Sequence, residues 1–380
     1  MKIAELQALR ALASYLVLFH HIRGTEVAHG LLDGTPVRPA MQIFYSGYAG
    51  VDLFFAISGF VMVYVTYKLP SGPGQTLQFW LARIFRIYPV WWFYCALFSI
   101  LCLIIAGTLW HPSAFDPAET NGWIFLIKSW FLIPQPDLPH INVGWTLIHE
   151  VHFYIVFGFL LLLPKRALLL ALLGWSALIV GVHLVLPKLG SVSSLLAIAF
   201  SPFSLEFIAG AIAGWLFVTG RRHFHLPILL IGAASFAAAL FLLEKAPAPW
   251  QRVEIFALPS AALVYGASGV RMPVGRLRSV LSRLGDWSFS LYLCHPLVMI
   301  CLGAIFTNAA KLAPSLGLPS SLFVICGNGL FVLAAVIAST IVAALSYHFY
   351  ERKTLDYLNR RFRHRQTNRS KAALLEEVGP

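Results

Sequence analysis

The chain has 380 residues, of which 58% are hydrophobic and only 12% charged, with a formal net charge of +12 and a mean hydropathy of +0.75. A soluble domain carries about a quarter charged residues, so a soluble nucleic-acid binder is excluded and the positive charge is assigned to loops beside a membrane. The composition predicts an all-α polytopic integral membrane protein with about ten transmembrane helices around a central cavity.

A membrane span needs about 20 mostly apolar residues. Ten runs qualify, at about 6–22, 47–67, 84–107, 144–163, 167–186, 192–219, 226–243, 253–269, 286–307 and 321–349. Residues 123–133 are apolar but short, which fits a re-entrant or interfacial piece. The first run holds Arg10 and lacks an A-x-A cleavage site, so it is read as a retained span and not a signal peptide. With the N-terminus in the cytoplasm, 21 of the 28 Lys and Arg fall on the cytoplasmic side, as the positive-inside rule requires. Both termini are then cytoplasmic. Residues 1–358 form one transmembrane domain, and 359–380 a basic tail suited to anionic lipid. The outer loops at 23–46 and 108–143 are the longest, rich in Pro and Gly, and suited to a lid or an acceptor groove.

Within the first run, LQALRALASYLVLFHHI, Arg10 and His21 are eleven residues apart. That is almost three helical turns, so both side chains share a face about 16 Å apart along the axis. His20 is turned away. Ionisable groups inside a membrane are costly and face a cavity or a partner. A single shaft, open to Arg10 at one depth and to His21 at another, is the expected arrangement.

Further polar residues sort by depth. Arg83 and Arg86, at i,i+3 in FWLARIFRIYP, lie near Arg10. Three guanidiniums at one level suit phosphate, although Arg83 and Arg86 also read as topology anchors. Asp52 in GYAGVDLFFAISGF and Glu150 in GWTLIHEVHFY lie near the depth of His21. A histidine oriented by a carboxylate suits general-base chemistry. Each of these groups taken singly also reads as an interhelical hydrogen bond.

The H-x-x-H of His149 and His152 has no third-ligand motif, and no metal is expected. The five cysteines lie in apolar runs without C-x-x-C spacing and read as small packing residues. Glu206 lies on a row with Pro202, Gly210 and Gly214. His295 shares a face with Ser288 and Tyr292 and is expected to be structural.

Six blocks, LRALASYLVLFHHI, GVDLFFAISGFVM, ARIFRIYPVWW, GWTLIHEVHFY, SFSLYLCHPLV and SYHFYERKTLDYL, together resemble the successive signatures of the membrane acyltransferase-3 family. They occur in the family's order over about residues 6–358. The similarity is to stand-alone members, the ExoZ-type exopolysaccharide O-acetyltransferases. The family's Arg-x10-His falls on Arg10 and His21, its R-x-x-R on Arg83 and Arg86, and its carboxylate on Glu150.

The resemblance implies O-acyl transfer, usually acetyl, from cytoplasmic acyl-CoA (acetyl-CoA) to a hydroxyl of an extracytoplasmic or lipid-linked glycan, in a bacterial inner membrane. Arg10, Arg83 and Arg86 would hold the donor phosphates. His21 would act as general base or transient acyl carrier, with Asp52 or Glu150 orienting it.

A glycolipid or solute transporter also carries intramembrane His, Glu and Arg. It often shows inverted repeats, and none is visible here. A structural scaffold would tolerate loss of His21.

Overall fold

The computed structural model describes residues 3–28, 45–221, 223–243, 246–317 and 327–361. Most of the loop at 23–46, Arg38, Arg222, Lys245, Cys326, the start of the tenth run and the tail at 362–380 lie outside the described residues. Among the described residues the regular structure is entirely helical. In chain order, α1 spans Ala4–Ala28, α2 Gly50–Thr66, α3 Pro73–Ala106, α4 Gly122–Trp130, α5 Gly144–Leu160 and α6 Leu168–Val185. Then come α7 Ser194–Ala199, α8 Phe203–Val218, α9 His225–Leu242, α10 Pro249–Gly269, α11 Arg276–Leu312 and α12 Gly327–Ser346.

Seven described stretches are long and apolar enough to cross a membrane: those built on α2, α3, α6, α7 with α8, α9, α11 and α12. The other three expected spans are α1, α5 and α10. Their polar content explains the difference. The first carries Glu5, Arg10, Arg23 and Glu26, and α10 carries Arg252 and Glu254. The α5 helix is only 17 residues long and carries His149, Glu150 and His152. Two of these helices supply Arg10, His21 and Glu150, half of the predicted site residues, so side chains that mark the site also dilute the hydropathy.

The α2 stretch is 72% buried, against 17% for those of α6 and α9 and 22% for that of α12. The α2 helix is therefore the centre of the bundle, and the other three face outward. It crosses α8 at very close range. A Cβ at Gly59 would lie 1.9 Å from the Phe207 carbonyl oxygen, and one at Gly210 would lie 2.0 Å from that of Ala56. Small residues permit such backbone approach. Gly59→Val cannot be accommodated without separating the two helices, and over-packing costs about 1–3 kcal/mol or more. The expected outcome is a lowered thermal midpoint in detergent. Leu170→Ala, at an exposed position on α6, is the control and should leave the midpoint unchanged.

Three features of α11 and α12 set the site. The α11 helix packs closely on α1 through Gly285, where a Cβ would lie 2.1 Å from the Gln7 carbonyl oxygen. Pro296 stands inside α11. It has no N–H for the carbonyl of Tyr292, which loosens the helix directly beside His295. The α12 helix widens into a π-helical turn at Tyr347–Glu351, a feature frequent at functional positions. This turn carries Glu351 inward, where it accepts a hydrogen bond from Ser290 Oγ at 2.6 Å.

Candidate active site

All the predicted residues but Asp52 fall around two cavities, not one shaft. The first, of about 120 Å³, is lined by Arg10, Arg83, Arg86, Ser58, Glu150, Tyr154, Ser288 and Tyr292 among others. The second, of about 750 Å³, is lined by His20, His21, Arg23, Tyr45, His111, His140, Asn142 and Met299 among others. Between them stands a hydrogen-bonded partition. Tyr292 and Thr146 hydroxyls are 2.7 Å apart, and both bond the Val143 carbonyl, at 3.1 and 2.9 Å. The expected continuous shaft is thus divided. A buried tyrosine hydroxyl must find partners, and here it finds them on α5, across the axis joining Arg10 to His21.

The first cavity brings together the three arginines, Arg83 and Arg86 expected on one side of their helix from spacing and Arg10 at their level from depth. Arg10 Nε donates to Ser288 Oγ at 3.2 Å. Arg83 stacks its guanidinium over the rings of Phe79 and Tyr154, each at 5.3 Å. Its Nε is buried with no hydrogen-bond partner. Glu150 accepts from Ser58 at 3.3 Å and from Tyr154 by a very short bond. Arg10 and Arg86 also feel Glu351. Three guanidiniums against two carboxylates leave a net positive cavity, suited to an anionic ligand. Glu351 is the functional candidate that sequence reasoning missed. It lay in the quoted SYHFYERKTLDYL block, but a regular helix would not have turned it inward.

His21 lines the second cavity. Its Nδ1 is 2.9 Å from the Val17 carbonyl. A carbonyl can only accept, so Nδ1 carries the proton and Nε2 presents its lone pair. His20 is tied instead to the Tyr45 carbonyl at 2.8 Å and contacts Tyr48. Neither carboxylate expected to orient His21 makes that contact. Glu150 belongs to the first cavity. Asp52 is fully buried and faces α10, where Arg252 Nε reaches its two oxygens at 2.8 and 2.9 Å and Nη2 reaches Oδ2 at 2.6 Å. Arg252 also donates to the Tyr48 carbonyl at 2.8 Å. A buried guanidinium attracts the nearest carboxylate in fork geometry, and Asp52 is that carboxylate. Glu206 lies beside this pair, fully buried.

Breaking one side of a buried ion pair costs about 3–5 kcal/mol. Asp52→Asn should therefore lower stability in a denaturant titration, and the double variant Asp52→Leu with Arg252→Met should recover part of the loss. Activity per folded molecule should change less than the folded fraction does.

The remaining histidines separate. His149 sits among Trp145, Phe55 and Phe203 rings, while His152 contacts Trp175. Among the described residues no group of three or more potential metal ligands is assembled. His140, on the connection between α4 and α5, is 2.9 Å from Ser99 Oγ. Burial pushes it down to about 4, so it is a neutral hydrogen-bonding group at the edge of the second cavity.

Cavities of this kind, divided by one tyrosine and flanked by arginines on one side and an imidazole on the other, fit group transfer between two bound substrates. Residues 3–348 match the model of a family described as an acyltransferase domain, and the chain belongs to that family. It is a membrane O-acyltransferase.

Among its relatives, the exopolysaccharide production protein ExoZ of Rhizobium meliloti is 28% identical, over 82% of this chain and 90% of that protein. The acyltransferase MdmB of Streptomyces mycarofaciens is 25% identical over 78% and 79%. The putative membrane-bound transacylase BcsY of Komagataeibacter xylinus is 26% identical over 94% and 84%. No solved structure matches the chain.

Proposed function

We propose that this protein moves an acyl group, acetyl in the first instance, from cytoplasmic acyl-CoA to a hydroxyl of an extracytoplasmic or lipid-linked glycan. In this proposal ten helices span a bacterial inner membrane, with both termini in the cytoplasm. The Arg10 cavity faces the cytoplasm and the His21 cavity faces outward. The observation that carries the proposal is the contact of His21 Nδ1 with the Val17 carbonyl at 2.9 Å, from which it follows that Nδ1 donates and the neutral ring keeps its lone pair on Nε2. Relatives support the acceptor class, since one is named for exopolysaccharide production and another as an O-acetyltransferase.

The chemistry follows from that geometry. Arg10, Arg83 and Arg86 attract the donor's phosphates. A cavity of about 120 Å³ is well below the ~300–1,000 Å³ of ordinary ligand pockets, so it takes the narrow thioester arm and leaves the nucleotide end at its mouth. Tyr292 must turn aside for the thioester carbonyl to reach His21. His21 Nε2 then removes the acceptor's hydroxyl proton as the oxygen attacks the carbonyl carbon, and the thiolate leaves. Attack by His21 itself, giving an acyl-imidazole that the hydroxyl then cleaves, uses the same lone pair.

The test uses purified protein in liposomes with radiolabelled acetyl-CoA outside and a glycan acceptor inside, or the reverse for the opposite insertion. Label is expected on the glycan. Label that arrives only when a second protein is added would make this chain a relay and not the final transferase.

Tyr292→Ala should remove the partition and let water meet the thioester. The expected result is acyl-CoA hydrolysis without acceptor, several-fold above wild type, read as free thiol release.

A further inference from the structure

His295 is the group that faces His21 where a carboxylate was expected. The two rings are in contact, with centroids 4.8 Å apart and planes inclined by 63°. His295 is 1% exposed. Its Nδ1 lies 3.1 Å from the Leu291 carbonyl, so by the same argument Nδ1 carries the proton and Nε2 the lone pair. That Nε2 is buried and has no hydrogen-bond partner. A buried, unpaired ring nitrogen is costly and calls for an explanation.

The two histidines supply one. Each has its N–H committed to its own helix, so at rest they have only lone pairs to offer one another. A proton arriving on His21 changes this: its Nε2 becomes a donor, and a turn of the two contacting rings would bring it to the unpartnered Nε2 of His295. His295 also sits on the partition itself. Tyr292, which closes the Arg10 cavity, is its ring neighbour at 5.9 Å, and Ser288 on the same α11 face holds Arg10.

We propose that His295 is a proton relay that acts through His21, carrying the acceptor's proton inward while the acyl group moves outward. The inference rests on the acyl-thioester reading above. The steps balance. The hydroxyl proton passes to His21 Nε2 as the ester C–O bond forms and the C–S bond breaks. His21 gives that proton to His295 Nε2, and once its ring neighbour Tyr292 has turned aside, the same Nε2 gives it to the departing thiolate. Both rings return to their starting tautomers, and the products are the ester and the free thiol.

The test compares two donors. The alkyl thiolate of acetyl-CoA is a poor leaving group and gains from protonation. The aryl thiolate of S-phenyl thioacetate has a lower pKa and leaves without it. For His295→Gln we expect transfer from acetyl-CoA to fall by about 10²-fold, the lower end of general acid–base contributions. Transfer from S-phenyl thioacetate should stay within about fivefold of wild type, which also shows that the variant is folded.

In wild-type enzyme the rate against the fraction of D₂O should curve with acetyl-CoA, reporting two protons in flight, and be linear with the aryl donor. Equal losses with both donors would show a merely structural role and overturn the proposal. Unchanged transfer from acetyl-CoA in His295→Gln, or a linear plot with acetyl-CoA, would do the same. If wild-type protein transfers from the aryl donor but never from acetyl-CoA, the donor reading fails instead, and the relay with it.

Discussion

Replacement of His21 by alanine is expected to lower acyl transfer by about 10²–10⁴-fold, the range that a positioned general base supplies. The size of the effect follows from the surroundings. His21 is the histidine of the second cavity whose Nδ1 is fixed by its own helix, and the carboxylates expected beside it are tied to Arg252 and to the Arg10 cavity. His20 is the internal control. It borders the same cavity, but its Nδ1 is held by Tyr45, and His20→Ala should cost less than about tenfold, below the general-base range. Expression and the thermal midpoint should hold in both variants. Transfer at the wild-type rate in His21→Ala would remove the mechanism. A short incubation with labelled donor and no acceptor separates the two forms of it: label on the wild-type chain that hydroxylamine releases, and that His21→Ala lacks, marks an acyl-imidazole.

Most of the helices were legible because apolar runs of span length leave few alternatives. The arginine cluster was legible too. A fixed i,i+3 spacing puts Arg83 and Arg86 on one side of α3, and depth alone brings Arg10 to their level. Partners across helices were not. Sequence depth places Asp52 and Glu150 near His21, but Asp52 is turned to Arg252 and Glu150 lines the Arg10 cavity, because depth counted along a chain does not tell how a helix is rotated or shifted. Arg252 stands just outside the apolar run at 253–269, and nothing in the sequence marks it as the group that claims Asp52. The sequence places His295 on one face with Ser288 and Tyr292, yet only the packing of α11 against α1 reveals that this face runs from Arg10 to His21. The π-helical turn that delivers Glu351 is a local departure from helical spacing, and no periodicity argument anticipates it.

Loss of Arg10 is the second large effect expected, and its form distinguishes donor binding from chemistry. Arg10 lines one cavity with Arg86 and Glu150 and lies near Glu351, where a phosphate would be held by a two-pronged guanidinium contact. Arg10→Ala should lower kcat/KM for acetyl-CoA by about 10²-fold or more, equivalent to ~2.7 kcal/mol by transition-state arithmetic, mainly through KM. Arg10→Lys should recover only part of this, because a point charge does not reproduce the fork.

The decisive comparison uses acetyl-pantetheine, which has the thioester arm and no phosphate. It should be a poor donor for wild type, and Arg10→Ala should use it about as well as wild type does. If Arg10→Ala impairs both donors equally, Arg10 holds the α1–α11 contact through Ser288 and not the donor. The phosphate site would then have to be sought at Arg83, whose unpartnered Nε makes Arg83→Lys the next variant to measure against the same two donors.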